Sequence, residues 1–253
     1  ARCHWHQGSY AEAETLWQQA IALREEMGEQ RFCAFNLAQY GGTCITLGKV
    51  ADAVDLARRA LALSQAYGDQ VGAAFGRITL GIAMAAQGQW SVAAAYLQQS
   101  LAMGRQSGHL FLHFYSAVQL GRVLLAKGDI TPAQVLFEEA LDAVIRNDSL
   151  PYAQLAAVLT SLGMAAQARK EWGPAEQYYR QALQQAPYCP AWEVQDAWFG
   201  LAQVHLARGD RLQAEALLER VAQDRATAAG TRAAAEQPLK DHFLEVGVPP
   251  GGG

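Results

Sequence analysis

Side chains able to do chemistry are few in this sequence and thinly spread. His109 and His113 stand four apart, so on a helix they share one face at metal-ligand spacing. No Glu or Asp lies between them, so the metalloprotease helix signature fails and they read as packed or partly exposed histidines. Cys3, His4 and His6 crowd together at the start of the chain, but no fourth ligand lies nearby to complete a structural zinc site. Residues 42–50 have the outline of a phosphate-binding loop and fail its requirements. Five residues separate Gly42 from Gly48 where four are needed, Val50 stands where Ser or Thr should hold magnesium, and no strand precedes them. Neither a G-x-S-x-G elbow nor a kinase signature occurs, and the acids Glu138 and Glu139 read as a solvated outer helix face. No catalytic, cofactor-binding or metal-binding residue is therefore assigned, no cofactor is expected, and the chain is read as not an enzyme.

What remains is the framework that such residues would have needed. Alanine makes up 49 of the 253 residues and glutamine 25, whereas long Val/Ile/Thr-rich runs are missing, which points to an all-α chain. With 51% apolar residues it is long enough to bury a sizeable core. A formal charge of −4, from 20 basic and 24 acidic side chains, argues against direct nucleic-acid binding. Gln, Arg or Glu interrupts the apolar stretches every few residues, well short of the roughly 20 that a membrane span needs, so no membrane partner is expected. Cys3, Cys33, Cys44 and Cys189 make no C-x-x-C pair and no disulfide framework, which points to a reducing compartment and a cytoplasmic location.

Self-similarity dominates the chain. The hexads GSYAEA, GKVADA, GQWSVA and GDITPA begin at Gly8, Gly48, Gly88 and Gly128, 40 residues apart each time. KEWGPA at Lys170 and GDRLQA at Gly209 continue the series with steps of 42 and 39. A second set of glycines, Gly28, Gly68 and Gly108, falls halfway between. A breaker thus recurs about every 20 residues, and the segments between carry apolar residues at helical spacing, as in Val92, Tyr96, Leu97, Leu101 and Met103. Paired antiparallel helices, stacked one pair on the next, satisfy this pattern.

A third set, Gly41, Gly81, Gly121 and Gly163 with Ala202 in the last copy, lies inside the first helix of each pair, twelve residues before the Ala anchor. A mid-helix glycine costs about 1 kcal/mol relative to alanine, so its recurrence requires a packing reason, and close approach of two helix backbones supplies one. Leu-Gly, a turn Gly, Ala, then an aromatic or Leu (Trp17, Leu97, Phe137, Tyr179, Leu218) together resemble the tetratricopeptide repeat, over residues 1–224. The usual period of that family is 34 rather than 40, so this chain is similar to its long-repeat variant, found in large bacterial signalling ATPases and transcriptional activators and in kinesin-light-chain-like adaptors. The second copy has Tyr40 before its glycine and the fifth has Lys170 for the turn glycine, both departures from the pattern. The resemblance implies a right-handed α-solenoid whose first helices line a concave face.

Residues 1–224 are thus expected to form a half repeat and five helix pairs. Residues 225–246 should supply a C-terminal capping helix, with Pro238 in a first turn, and residues 247–253 a disordered Gly/Pro tail. Trp5, Leu16, Trp17 and Ile21 look short of a neighbour, as if upstream repeats were missing. On the concave face the resemblance places Phe35, Phe75, Ile78, Ile82, Tyr115, Val118, Arg122, Leu125, Met164, Phe199 and Gln203 as contacts for a protein or peptide. Seven of these, Phe35, Phe75, Ile78, Ile82, Tyr115, Val118 and Leu125, would make an apolar strip along three helices, with Arg122 lending an orienting charge. Tight coiling would instead press these positions against one another and leave no groove. The function expected is a protein-interaction and sensor module of a larger cytosolic signalling regulator. A free-standing adaptor or scaffold, or a domain binding a small-molecule effector, are the alternatives.

Overall fold

A breaker about every twenty residues cuts a helix-favouring chain into pieces of about five turns, and each piece folds as one helix. The computed structural model of the protein describes residues 1–146, 152–186, 189, 191–224 and 227–246. Among them are thirteen helices and no strand. They are α1 (Arg2–His6), α2 (Tyr10–Glu26), α3 (Gln30–Thr46), α4 (Val50–Ala66), α5 (Gln70–Ala86), α6 (Trp90–Ser107) and α7 (Leu110–Ala126). Then follow α8 (Ile130–Ile145), α9 (Tyr152–Ala168), α10 (Trp172–Gln184), α11 (Ala191–Ala207), α12 (Arg211–Gln223) and α13 (Ala229–Val246). Local chemistry fixes several starts. The Asp69 carboxylate accepts the Gly72 N–H at 2.9 Å to cap α5, and Nδ1 of His109 accepts the Leu112 N–H at 3.1 Å to cap α7. At the turn after α9, Lys170 adopts φ +62°, the left-handed conformation that glycine takes at the equivalent turns.

Every helix packs on its successor, and α3, α5, α7, α9 and α11 also pack on the next odd-numbered helix. The odd-numbered helices therefore form an inner layer and the even-numbered ones an outer layer of a right-handed α-solenoid. The largest core cluster runs between the layers through Leu37, Ile78, Leu97, Leu112, Val118 and Phe137, and a second one follows around Tyr179 and Leu201. Outer-layer ion pairs join successive repeats, Arg105 to Glu139 at 2.6 Å and also Arg59 to Glu25 and Arg208 to Glu176. Such exposed pairs contribute about 0–1 kcal/mol each, so burial, not surface charge, holds the stack.

The mid-helix glycine earns its place differently from the sequence expectation. A Cβ on Gly121 would lie 2.3 Å from Cε1 of Phe137, so what the glycine admits is the anchor ring of the next outer helix. The paired helix's backbone is also close at Gly81, where a Cβ would lie 3.2 Å from the Ala93 carbonyl oxygen, and the tightest backbone approach is at Gly104. A Cβ on Gly104 of α6 would lie 2.6 Å from the amide nitrogen of His113 in α7.

Curvature brings the two ends together. Trp5 of α1 meets Trp192 of α11 with ring centroids 5.8 Å apart, and a Cβ on Gly48 would lie 3.4 Å from Cβ of Ala229 in α13. Tyr10, at the start of α2, is buried; burial raises its hydroxyl pKa, and the nearby Asp196 and Asp224 carboxylates raise it further. The expectation that Trp5, Trp17 and Ile21 lack neighbours is thus wrong. Trp17 and Ile21 are buried, and the last repeat swings round to meet Trp5. At the other end, Thr231 and Pro238 lie in the same helix, α13, with Pro238 in its interior and not in a first turn. Ala235 anchors α13 on Ala202, Leu218 and Val221. The expected tail, residues 247–253, lies outside the described residues.

Candidate functional site

The inner layer divides by chemistry. In the three copies with strict 40-residue spacing the inward side chains are aromatic and pack on one another. Phe35 of α3 meets Phe75 of α5 edge-on at 5.3 Å, Phe75 lies 6.2 Å from Phe111, and Phe111 stacks on Tyr115 at 5.8 Å. Phe75, Ile78 and Val118 are buried, so they are not part of an exposed strip; adjacent inner helices cover them. Phe35, Ile82, Tyr115, Leu125, Met164 and Phe199 keep partial exposure. The strip is narrower than the sequence suggests and is interrupted at its middle helix. Burial pushes the Tyr115 hydroxyl up to about 12, so it stays a neutral donor.

Further along, the inner face turns polar. Gln203, half-buried, accepts a hydrogen bond from Gln167 at 2.8 Å, and Gln167 accepts one from the Tyr179 hydroxyl at 2.9 Å. That chain runs from the buried Tyr179 of the outer helix α10 to the inner faces of α9 and α11. Arg122 of α7 reaches across α9 to α11. Its Nη2 donates to Glu193 Oε1 at 2.7 Å and its Nε to Ser161 Oγ at 2.9 Å, with a longer contact to the Ala157 carbonyl at 3.4 Å. The guanidinium lies 5.9 Å over the Trp192 ring, and its Nη1 is 4.0 Å from Asp196 Oδ2. Asp196 also accepts the Thr231 hydroxyl from α13 at 2.6 Å. Arg122 therefore spends its donors inside the protein, and the orienting charge expected for a ligand is already committed.

Burial sets the electrostatics of this cluster. The Glu193 side chain is 2% exposed, and desolvation raises its carboxyl pKa even though Arg122 pulls the other way. Asp196 is raised for the same reason, with Arg122 and Thr231 opposing. Burial disfavours the Arg122 charge, but Glu193 and Asp196 more than offset it and hold the guanidinium protonated. One fixed cation thus serves two carboxylates in a place that favours their neutral forms. The arrangement can bind charge and hydrogen-bond donors. Burial, with Glu193 adding to it, pushes the nearby Cys189 thiol up to about 12, which keeps it protonated.

The histidines singled out by spacing have structural duties. His109 caps α7, and His113 pairs with Glu139 at 2.7 Å beside Arg105. Spacing missed the residues that make the charged cluster: Trp5, Trp192, Glu193 and Thr231. One signal was available. Trp192 stands four residues before the inner position Asp196, as Phe111 stands four before Tyr115, so the aromatic stripe continues into the fifth pair.

The family model for the MalT-like TPR region matches residues 37–237, and a tetratricopeptide repeat model matches residues 1–66. The chain belongs to the MalT-like TPR family. Among solved structures, this MalT-like TPR chain is similar to BtubC (BKLC) from P. vanneervenii, with 19% identity and a TM-score of 0.60 over 91% of this chain and 92% of that one. NprR in complex with its cognate peptide NprX aligns with TM-score 0.72 at 14% identity, over 90% of this chain and 68% of that one. A Rap protein complexed with Competence and Sporulation Factor gives TM-score 0.62 at 14% identity, over 96% and 74%. These likenesses show the fold. No curated protein matches the chain.

Proposed function

We propose that this MalT-like TPR chain is a non-catalytic protein-interaction and sensor module that holds a peptide or protein segment on its concave face. The observation that carries the reading is the inner layer itself. Half-buried apolar groups (Phe35, Ile82, Tyr115, Leu125, Met164, Phe199) share it with the polar groups Gln203 and Asp196. That mixture suits an extended or helical segment, with apolar contacts for affinity and a few polar ones for register. NprR, similar in fold, is described with its cognate peptide, and a Rap protein with Competence and Sporulation Factor, which supports the reading.

We further infer that the chain is one portion of a larger signalling regulator of the ATPase type, working in the cytoplasm. The 40-residue repeat and family membership support the first, and the free cysteines, with Cys33 and Cys44 fully buried, support the second. Among the described residues no helix is long and apolar enough to cross a membrane.

The test uses pools of capped pentapeptides with randomised positions, read by thermal shift and calorimetry. Wild type should be stabilised. Phe35→Ala combined with Tyr115→Ala should lose that response while far-UV circular dichroism stays unchanged. Equal binding by the double variant would place the contact off the concave face. Stabilisation by a metabolite panel and by no peptide pool would favour a small-molecule effector instead. A nucleotide-binding domain encoded beside these repeats in the parent gene is the expected context.

A further inference from the structure

The charges gathered where the two ends meet do not balance. Arg122 faces Glu193 and Asp196, while Arg232 on α13 turns its guanidinium to the backbone carbonyls of Asp224 at 2.8 Å and Thr227 at 3.4 Å. Asp224 and Arg232 lie close enough to Tyr10 to influence its titration, as does Asp196. Among the described residues one cation, Arg122, therefore serves two buried carboxylates, Glu193 and Asp196. Burial holds Tyr10, Tyr115 and Tyr179 neutral, so they add no further negative charge. Asp196 is the acid left short: its best partner is a neutral hydroxyl, and its closest cation is 4.0 Å away.

A second, independent feature lies beside it. The indole N–H groups of Trp5 and Trp192 are both buried without a hydrogen-bond partner. A buried donor left unpaired costs about 1–3 kcal/mol, and both belong to one ring pair at 5.8 Å, tilted by 52°. Among the described residues, Asp196 thus has no cation nearer than 4.0 Å and the two indole N–H groups have no acceptor. A basic residue in a peptide brings a cationic side chain and backbone carbonyls together. Indole faces are the best aromatic surface for such a cation, and Trp192 already presents one to Arg122.

Resting on the peptide-binding reading above, we propose that the junction of α1 and α11 holds a subsite for one basic side chain of the bound peptide. Its guanidinium or ammonium group sits against Asp196 and the Trp192 ring, beside Arg122 and not in its place. The peptide backbone takes the two indole N–H groups, so entry parts Trp5 from Trp192. The closure of the superhelix is then the gate of the subsite.

The experiment uses four capped pentapeptide pools with the central residue fixed as Arg, Lys, citrulline or Glu and the other positions randomised. Affinity is read on the full chain from tryptophan fluorescence and calorimetry. The Arg and Lys pools should bind roughly 10- to 100-fold more tightly than the citrulline pool, the range expected for a charge-assisted bond at a half-buried acid. Asp196→Asn should erase that preference, and Asp142→Asn on the outer helix α8 should retain it. Should Asp196→Asn lose its helical signal, Trp192→Phe replaces it and should weaken the Arg and Lys pools. An Arg preference that survives Asp196→Asn or Trp192→Phe, or tighter binding of the Glu pool, overturns the subsite while leaving peptide binding intact. If no pool binds, whatever its central residue, the peptide reading falls with it.

Discussion

Adding a single methyl group at Gly121 separates two explanations of the mid-helix glycines. By helix propensity alone Gly121→Ala should stabilise the protein, by about 0.8–1.0 kcal/mol. The structure opposes this, because the new Cβ would lie 2.3, 2.8 and 2.9 Å from three atoms of the Phe137 ring. Carbon atoms settle at about 3.5–4.0 Å, so the ring must retreat by about 1.2 Å or more. Phe137 is fully buried, and a close-packed core offers it no vacant volume. Overpacking of this kind costs about 1–3 kcal/mol, leaving a net loss of about 0–2 kcal/mol once propensity is subtracted.

Urea unfolding followed by far-UV circular dichroism reads this directly, with midpoints compared within one series because long arrays need not unfold in two states. Gly121→Leu should fall below Gly121→Ala, and below Gly128→Ala as well. At Gly128 a Cβ meets nothing within 4 Å, and the cost comes only from its φ of +90°. Phe137→Leu in the Gly121→Ala background should recover part of the loss, a coupling of about 0.5–3 kcal/mol for residues in contact. A raised midpoint for Gly121→Ala, or strict additivity with Phe137→Leu, would refute the steric account.

Two further outcomes are expected. Lys170→Gly should raise the urea midpoint, because a non-glycine residue at φ +62° carries about 1–2 kcal/mol of strain and glycine returns only about 0.5–1 kcal/mol of it as lost chain entropy; an unchanged or lower midpoint would mean that the turn relaxes around lysine. Asp196 and Glu193 have raised pKa values in the fold, so the folded chain binds protons more tightly than the unfolded one. Their contribution to stability is full below the ordinary carboxylate range and is lost as the pH rises through the raised values. Asp196→Asn should flatten that decline in a pH series of thermal melts, and a decline as steep as in the wild type would assign the titration to other groups.

The repeat was legible because it is a local property. Turn residues at Gly8, Gly48, Gly88 and Gly128 and apolar helical faces between them dictate antiparallel pairs, whatever the rest of the chain does. Closure of the superhelix is not local. It is the sum of small rotations across successive interfaces, each set by how far one side chain, such as Phe137 against Gly121, holds two helices apart. No period encodes that sum, so the sequence left Trp5 apparently without a neighbour when the closing turn supplies Trp192. The same limit hid the pairing of Arg122 with Glu193, which joins residues 71 apart.

The inner face was half legible for a related reason. An apolar residue at an inward position looks the same in sequence whether it meets a ligand or the next helix, and curvature decides between them. Phe75, Ile78 and Val118 went to the next helix. A charged residue at an inward position is less ambiguous, because burying it without a partner costs several kcal/mol. Asp196 stands at such a position in the copy that departs from the 40-residue step, and Arg122 at another. Two opposite charges on inner faces two repeats apart, in an otherwise apolar stripe, can be accommodated only if the stripe curves enough to bring them together. The charge pattern thus carried information about curvature that the repeat period did not. It also explains why the polar end of the inner layer, rather than the aromatic strip, keeps an under-neutralised acid. Where strict repetition ends, side chains are no longer consumed by packing on their own copies.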